Sequence, residues 1–368
     1  MRSSTRFLMS FGVASVIGFS VAAPTSAAAA GGSAGPAAVV VSTPWRVVYA
    51  TRSGAPLLQD VAAVSTNNVW AVGDRGSGPF VVHWDGRQWH TSGIPHPAGF
   101  DAQSIQASSA GRVWVLGFLP NSNQAAAIEW NGSTWHVVRL PTDAGTTGMI
   151  FGPADMWLTG NTIFCNFSGS KCTTTVLHWN GKIWNRFTVH TMVADIEGTS
   201  DGDLWIVGTD NNHQVGNQQV GELVAFRWSG KSWQWVRMPH PEISTPPALT
   251  VDSRTNAWVS ASRAKTDPQG QQPTLGVHWD GRRWTVLTAP DEAFASGPIA
   301  TDGRGGAWFT PNARWNGRTW LEEVGLWLPA WANPFSFFSM ARIPGTTIVL
   351  VTVTSPGGTL IGASQRLP

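Results

Sequence analysis

The stretch that decides the fold is HWDGRQW at residues 83–89, in which two tryptophans flank a short Asp-Gly turn. The pattern Trp-[Asp/Asn/Ser]-Gly-x-x-Trp recurs five more times along the chain. The further copies are EWNGSTW (129–135), HWNGKIW (178–184), RWSGKSW (227–233), HWDGRRW (278–284) and RWNGRTW (314–320). Such a regular recurrence indicates one array of repeated supersecondary units rather than several unrelated domains.

Each copy predicts a β-hairpin, because Asp-Gly and Asn-Gly between apolar runs supply two turn residues that accept positive φ. A two-residue turn at 85–86 predicts that Trp84 pairs with Arg87. It also predicts that Val82 pairs with Trp89, so that both indoles lie on one face of the hairpin. The cation after the turn is then placed to stack on the neighbouring indole.

Two more strands precede each hairpin. One carries a single Trp, as in VWAVG (69–73) and LWIVG (204–208), and the other is rich in small and β-branched residues, as in DVAAVST (60–66). Four strands in a unit of about 45–50 residues are typical of a β-propeller blade. The sequence therefore predicts an all-β propeller.

Six blades are explicit, and both ends of the domain supply the strands of a seventh. Residues 339–354 and 358–364 match the first three strands of a blade, and residues 43–50 match the fourth, with Trp45 in the place of the second hairpin Trp. A blade shared between the termini closes the ring and removes exposed sheet edges. We predict seven blades with an N-terminal closing strand, with six blades as the alternative.

The start of the chain has the features of a signal peptide. Arg2 and Arg6 precede an apolar run that ends in a small-residue stretch near residue 30. We therefore expect a signal peptide at 1–30, a flexible linker at 31–42 and one propeller domain at 43–368. The mature protein is expected to be secreted, monomeric and not inserted in a membrane.

The charge of the chain limits which partners are expected, and its cysteine content indicates a disulfide. Without Arg2 and Arg6, the 24 basic residues fall to the number of acidic residues, 22, and they are scattered, which argues against a nucleic-acid partner. The only two cysteines, Cys165 and Cys172, are expected to form a disulfide in an exported chain, with a pair of free thiols as the alternative.

The repeats resemble two propeller classes. A hydrophobic strand ending in Gly, followed by a hairpin and a Trp, is similar to the kelch repeat, and D-G-x-x-W at 85–89 and 280–284 resembles the turn of the Asp-box of sialidase-like propellers. The resemblance implies architecture and not function. Sialidase-like and galactose-oxidase-like sites use tyrosines, whereas Tyr49 is the only Tyr of this chain.

A binding surface is predicted where the loops between second and third strands are longest. These are 161–175, 209–222 and 262–275, in blades 3, 4 and 5, and a rigid scaffold that presents long loops is typical of a recognition surface. Aromatic residues outside the repeat positions are further candidates for contact, namely Trp235, Trp327, Trp331, Phe164 and Phe167. The candidate binding residues are Phe164, Phe167, Asn211, Asn212, His213, Gln218, Asp267 and Gln271.

Two carboxylates are candidates for catalysis. Asp195 and Glu197 alternate onto one side of a predicted innermost strand, where they could act as general acid and base, although a solvated channel lining explains them as well. His83, His178 and His278 recur at one strand position but in three different blades, so they cannot share a metal ion, and a polar partner such as Gln88 would explain them. No metal or cofactor is predicted.

These observations favour a secreted binding module that recognises an extracellular polysaccharide, a cell-envelope component or a protein through blades 3–5. The alternative is an extracellular glycoside hydrolase or polysaccharide lyase whose site lies at the channel mouth. A factor that binds a small-molecule client is a third possibility.

Overall fold

The protein is described from a computed structural model. It describes residues 39–42, 45–52, 57–75, 78–109, 111–120, 122, 124–165, 171–200, 202–216, 218–265, 272–289, 297–324, 328–329, 332 and 336–367. Every regular element longer than one residue in these ranges is a β-strand. None of the described helical segments is long and apolar enough to cross a membrane.

Seven small sheets form the seven blades of a propeller, as predicted. Contacts between innermost strands run from each blade to the next and return from the last to the first, so the ring is closed. Blade 1 contains β3 (Leu57–Ser65), β4 (Asn68–Asp74), β5 (Pro79–Trp84) and β6 (Trp89–Gly93). Blade 2 contains β7 (Asp101–Ser109), β8 (Arg112–Phe118), β9 (Ala125–Trp130) and β10 (Trp135–Val138), and blade 3 contains β11 (Ala144–Gly152), β12 (Asp155–Cys165), β13 (Cys172–Trp179) and β14 (Trp184–Val189).

The remaining blades follow the same order from the innermost strand to the outermost. Blade 4 contains β15 (Met192–Gly198), β16 (Leu204–Val215), β17 (Gln218–Trp228) and β18 (Trp233–Val236), with the short β19 (Glu242–Ile243) added to β17. Blade 5 contains β20 (Ala248–Ser253), β21 (Asn256–Ser262), β22 (Thr274–Trp279) and β23 (Trp284–Thr288). Blade 6 contains β24 (Ala300–Thr301), β25 (Ala307–Thr310), β26 (Ala313–Trp315) and β27 (Trp320–Val324), and blade 7 contains β28 (Ser336–Arg342), β29 (Val349–Ser355) and β30 (Gly358–Ala363).

Two N-terminal strands complete the last two blades. β2 (Arg46–Thr51) pairs with β30 as the outermost strand of blade 7, which confirms the predicted closing strand. β1 (Val39–Ser42) adds a fifth strand to blade 6, parallel to β27. The predicted linker 31–42 therefore ends in a strand of the ring, which the repeat pattern did not indicate because, among the described strands, a fifth parallel outer strand occurs in blade 6 alone.

The hairpin turn differs from the prediction. Trp84 pairs directly with Trp89, so the turn spans the four residues 85–88 rather than two. The cause is the Asp85 side chain, whose Oδ1 accepts hydrogen bonds from the backbone N–H groups of Arg87 and Gln88 at 2.8 and 2.9 Å. Gly86 has a φ of 91°, as the turn requires. Trp pairs at the same register occur in blades 2 to 6.

The repeated Trp residues fill the wedges between neighbouring sheets. The Trp on the second strand of each of blades 1 to 6 packs against indoles of the following blade. Trp205 of blade 4, for example, is fully buried against Trp279 and Trp284 of blade 5, with ring centroids 5.1 and 5.2 Å apart. Large aromatic rings in edge-on contact supply much of the buried apolar surface of such an interface.

Third-strand side chains cover the outer faces of these indoles. His83 stacks on Trp70 at 3.8 Å and shares the Oδ1 of Asn68 as a hydrogen-bond partner with it, so Asn68 rather than Gln88 is its partner. Arg227 lies over Trp205 at 5.1 Å in the same way. The cations described over indole rings come from this strand, so the predicted stacking of the turn cation was wrong.

Candidate functional site

Because neighbouring strands of a blade run in opposite directions, the connections between strands emerge alternately on two faces of the ring. The loop face carries the connections between second and third strands and those between blades, and the turn face carries the Trp-flanked hairpin turns. The predicted binding residues belong to the loop face of blades 3–5. The predicted carboxylates belong to the channel that runs between the faces, lined by the innermost strands.

The loops predicted in blades 3 and 4 are in large part strands. β12 and β13 continue to the disulfide of Cys165 and Cys172, which confirms that bridge and places the two cysteines opposite each other. β16 and β17 continue as a hairpin to residues 215 and 218. The two extended hairpins are joined by an ion pair between Lys171 and Asp210, with 2.8 Å between Nζ and Oδ2.

A bulge in β16 sets the direction of the blade 4 hairpin. Asn211 has a φ of 49°, a conformation that Asn tolerates better than most residues, and its amide donates to Glu222 Oε2 at 2.9 Å. The side chain of Asn212 is turned inward and buried, 2% exposed, against Gly221. Asn212 is therefore part of the bulge and not of the exposed surface, contrary to its predicted role as a binding residue.

Residues of blade 5 and of β19 contact the extended hairpin of blade 4. The amide of Gln272 donates to Gln218 Oε1 at 2.8 Å, and its own Oε1 accepts from Ser244 Oγ at 3.0 Å. The imidazole of His213 lies 3.9 Å from a carboxylate oxygen of Glu242, which belongs to β19. His213 and Gln218 are exposed, so blades 3, 4 and 5 present one connected polar surface. Sequence analysis did not single out Gln272, although it lies within the predicted loop 262–275, or Glu242, which lies outside the three predicted loops.

The other predicted contact residues divide into two groups. Trp235 is 50% exposed on the outermost strand of blade 4 and stacks on His240 with ring centroids 5.8 Å apart. Phe164 pairs through its backbone with Thr173 in the blade 3 hairpin. Phe167, Asp267, Gln271, Trp327 and Trp331 lie outside the described residues.

In the channel, Asp195 links two blades. Its Oδ1 accepts from the N–H of Ile196 at 2.8 Å and its Oδ2 from the N–H of Leu249 in blade 5 at 2.9 Å. Burial, together with a smaller contribution from the carboxylate of Asp60, raises the pKa of Asp195 to about 6. Both oxygens of Asp195 are thus engaged by backbone donors, which gives this residue a structural role in the inner ring.

Asp60 joins blades 7, 1 and 2 in a similar way, through hydrogen bonds to its carboxylate. Asp60 accepts from the N–H of Val61 at 2.8 Å, from the N–H of Ile105 at 2.8 Å and from Ser339 Oγ at 2.6 Å. Burial raises the pKa of Asp60 to about 6. Sequence analysis missed this role, although Asp60 and Asp195 share a recognisable position in the repeat. Each lies two residues before the residue that pairs with the second-strand Trp, and each is followed by a β-branched residue.

Glu197 differs from Asp60 and Asp195 in that one of its carboxyl oxygens has no hydrogen-bond partner. It accepts hydrogen bonds from the Val251 N–H and from the Thr250 side chain, while its Oε2 is buried and has no hydrogen-bond partner. Burial raises the pKa of Glu197 well above its usual value, and the nearby Asp195 adds to the effect. A raised pKa favours the protonated form of the carboxyl, which is the form that a general acid needs.

Arg342, on the innermost strand of blade 7, also joins neighbouring blades. Arg342 forms an ion pair with Asp252 of blade 5 and donates from Nε to Thr301 Oγ1 of blade 6 at 2.9 Å. It thus links the innermost strands of three blades. Among the described residues, no three His, Cys, Asp or Glu side chains come together to form a metal site.

Comparison with known proteins shows the fold. No family model and no curated protein matches the chain. Solved structures of β-propellers do: YCF48 bound to a D1 peptide is 12% identical, with a TM-score of 0.58 over 90% of this chain and 100% of that one. An inactive virginiamycin B lyase from Staphylococcus aureus with quinupristin is 14% identical, with a TM-score of 0.56 over 88% of this chain and 100% of that one.

Proposed function

We propose that this protein is a secreted binding module that recognises an extracellular polysaccharide, a cell-envelope component or a protein with the loop face of blades 3–5. One observation carries the proposal: an ion pair and side-chain hydrogen bonds join the extended hairpins of blades 3 and 4 and the neighbouring residues of blade 5 into one polar surface. A preorganised surface loses little conformational entropy when a partner binds. The D1 peptide bound by YCF48, a propeller of similar fold, agrees with such a role.

The test combines a glycan array with affinity capture from culture supernatant, both on the folded protein. The variant His213→Ala/Gln218→Ala removes two exposed polar side chains from the centre of the surface. Arg318→Ala, an exposed residue on the turn face, is the matched control. We expect a partner whose retention falls about tenfold or more in the double variant and is unchanged in the control. Absence of a partner, or equal loss in both variants, would refute the proposal.

A glycoside hydrolase or lyase is the second candidate, and the buried, unpartnered Oε2 of Glu197 is the observation that favours it. Since both oxygens of Asp195 accept backbone N–H groups, this alternative depends chiefly on Glu197. Polysaccharide cleavage that is abolished by Glu197→Gln, with the circular dichroism spectrum unchanged, would support an enzyme. Cleavage that survives both Glu197→Gln and Asp195→Asn would exclude this site.

A further inference from the structure

Blade 7 departs from the other blades at its interface with blade 1. In six blades the second strand carries a Trp that enters the next interface, and third-strand residues cover it, as His83 covers Trp70 at 3.8 Å. The register of blade 7 places Leu350 and Ala363 at these two positions. Leu350 is fully buried in an apolar cluster, and the hairpin tryptophans of the following blade, Trp84 and Trp89, pack against that cluster.

The smaller side chains are accompanied by a crevice on the turn face. It has a volume of about 350 Å³ and is lined by Val48, Trp84, Arg87, Trp89, Arg366 and Leu367. At the interface between blades 4 and 5, Trp205 packs against both hairpin indoles. The crevice lies beside two hairpin indoles against which no second-strand indole packs, because β29 carries no Trp.

The chemistry of the lining selects a ligand class. Trp84 and Trp89 are partly exposed, with ring centroids 5.6 Å apart, and indole faces stack on flat apolar rings, including the C–H face of a pyranose. Arg87 is exposed, and within the described part of the chain neither Arg87 nor Arg366 has an ion-pair partner. Two free guanidinium groups beside indoles favour a ring that carries a carboxylate.

The nearby carboxylate does not cancel the positive charge of Arg87 and Arg366. Asp85 is the adjacent carboxylate, and its oxygens accept from the backbone N–H groups of Arg87 and Gln88 and from the imidazole of His90 at 2.8 Å. Its charge is therefore directed into the turn. The crevice keeps an excess of positive charge from Arg87 and Arg366.

We propose that the crevice between blades 7 and 1 binds an acidic pyranose, such as a uronate residue of an acidic polysaccharide. The ring stacks on the indoles of Trp84 and Trp89, and the carboxylate pairs with Arg87 and Arg366. This site lies on the face opposite the surface of blades 3–5, so each proposal can be tested independently of the other.

The test is a calorimetric and tryptophan-fluorescence titration of the folded protein with a galacturonate oligosaccharide. Its neutral, methyl-esterified form serves as the uncharged probe. We expect saturable binding of the acidic form and binding at least about tenfold weaker for the neutral form, because a hydrogen bond to a charged group is lost. Absence of binding, or equal binding of both forms, would overturn the proposal.

Three variants locate the site. Arg87→Gln/Arg366→Gln should weaken binding by about tenfold or more, whereas Arg282→Gln, at the equivalent turn position of blade 5, should have no effect. Trp89→Phe reduces the area of one of the two lining indoles and should weaken binding while the circular dichroism spectrum stays native. If Trp89→Phe does not fold, the arginine variants decide, and an equal loss in Arg282→Gln would show attraction to general surface charge and refute the site.

Discussion

Replacing Asp195 with Asn should destabilise the ring less at pH 7.5 than at pH 5. The amide cannot accept from both backbone N–H groups, which costs about 1–3 kcal/mol at either pH. The pH-dependent part comes from the raised pKa of Asp195, about 6 in the folded protein against 3.8 ordinarily. A carboxyl with a raised folded-state pKa contributes stability that is fully present below its unfolded pKa and is lost as the pH rises through the folded value.

For these two pKa values, the lost contribution between pH 5 and pH 7.5 amounts to about 1.4 kcal/mol. This is an upper limit, because the side chain keeps some contact with water in the channel. The variant lacks this contribution at both values, so its deficit relative to the unaltered protein should be larger at pH 5 by up to that amount. The comparison also cancels the opposite effect of His83 and His278, whose burial lowers their pKa.

The assay is urea denaturation followed by tryptophan fluorescence at both pH values, with the free energy of unfolding extrapolated to water. Asp280→Asn is the control, because hydrogen bonds from the Arg283 and Arg282 backbone lower the pKa of that exposed carboxyl and keep it ionised across the range. Its effect should not change between pH 5 and 7.5. A deficit of Asp195→Asn that is equal at both values, or greater at pH 7.5, would refute the buried-carboxyl reasoning.

Trp205→Ala should lower the free energy of unfolding by about 3–5 kcal/mol in the same assay, since it empties the wedge between blades 4 and 5, whereas Trp235→Ala, half exposed, should change it by less than about 0.5 kcal/mol. Equal losses would contradict the assignment of the repeat indoles to the core. Replacing Cys165 and Cys172 with Ser should cost at most about 2.5 kcal/mol, because the bridge closes a short loop, and a larger loss on calorimetry would give the bridge a global role. Gly86→Ala should destabilise by about 1 kcal/mol or more, because the turn needs a φ of 91° there and the new Cβ would lie 2.5 Å from Asn67; an unchanged melting temperature would contradict the turn geometry.

The fold could be predicted because its main determinant is local and repeated. Each hairpin needs Trp and Gly at fixed spacing, and each inner strand needs small and β-branched residues, so sequence periodicity reports the blade directly. The register at Asp85 could not be predicted in the same way. The dipeptide Asp-Gly is compatible with turns of two or four residues, and the side-chain acceptor of Asp85 decides for four.

The site was harder to predict because its geometry depends on contacts between blades. Asp195 and Glu197 were placed correctly on the innermost strand, but their different hydrogen-bond environments arise from blade 5, 54 residues further along the chain for the Leu249 N–H. The bulge that buries Asn212 is set by Gly221 on the opposing strand. Composition marks both segments as polar and gives no information on which side chains turn inward.

The pairing of β1 and β2 with strands near the other end of the domain has a practical consequence for folding and for protein engineering. During synthesis, β1 and β2 emerge early, yet their partners, β27 and β30, follow more than 270 residues later. Blade 7 therefore cannot be completed until almost all of the chain has left the ribosome. A purification tag fused close to residue 39 would sit beside the last seam to form, so affinity tags are better attached elsewhere on the ring.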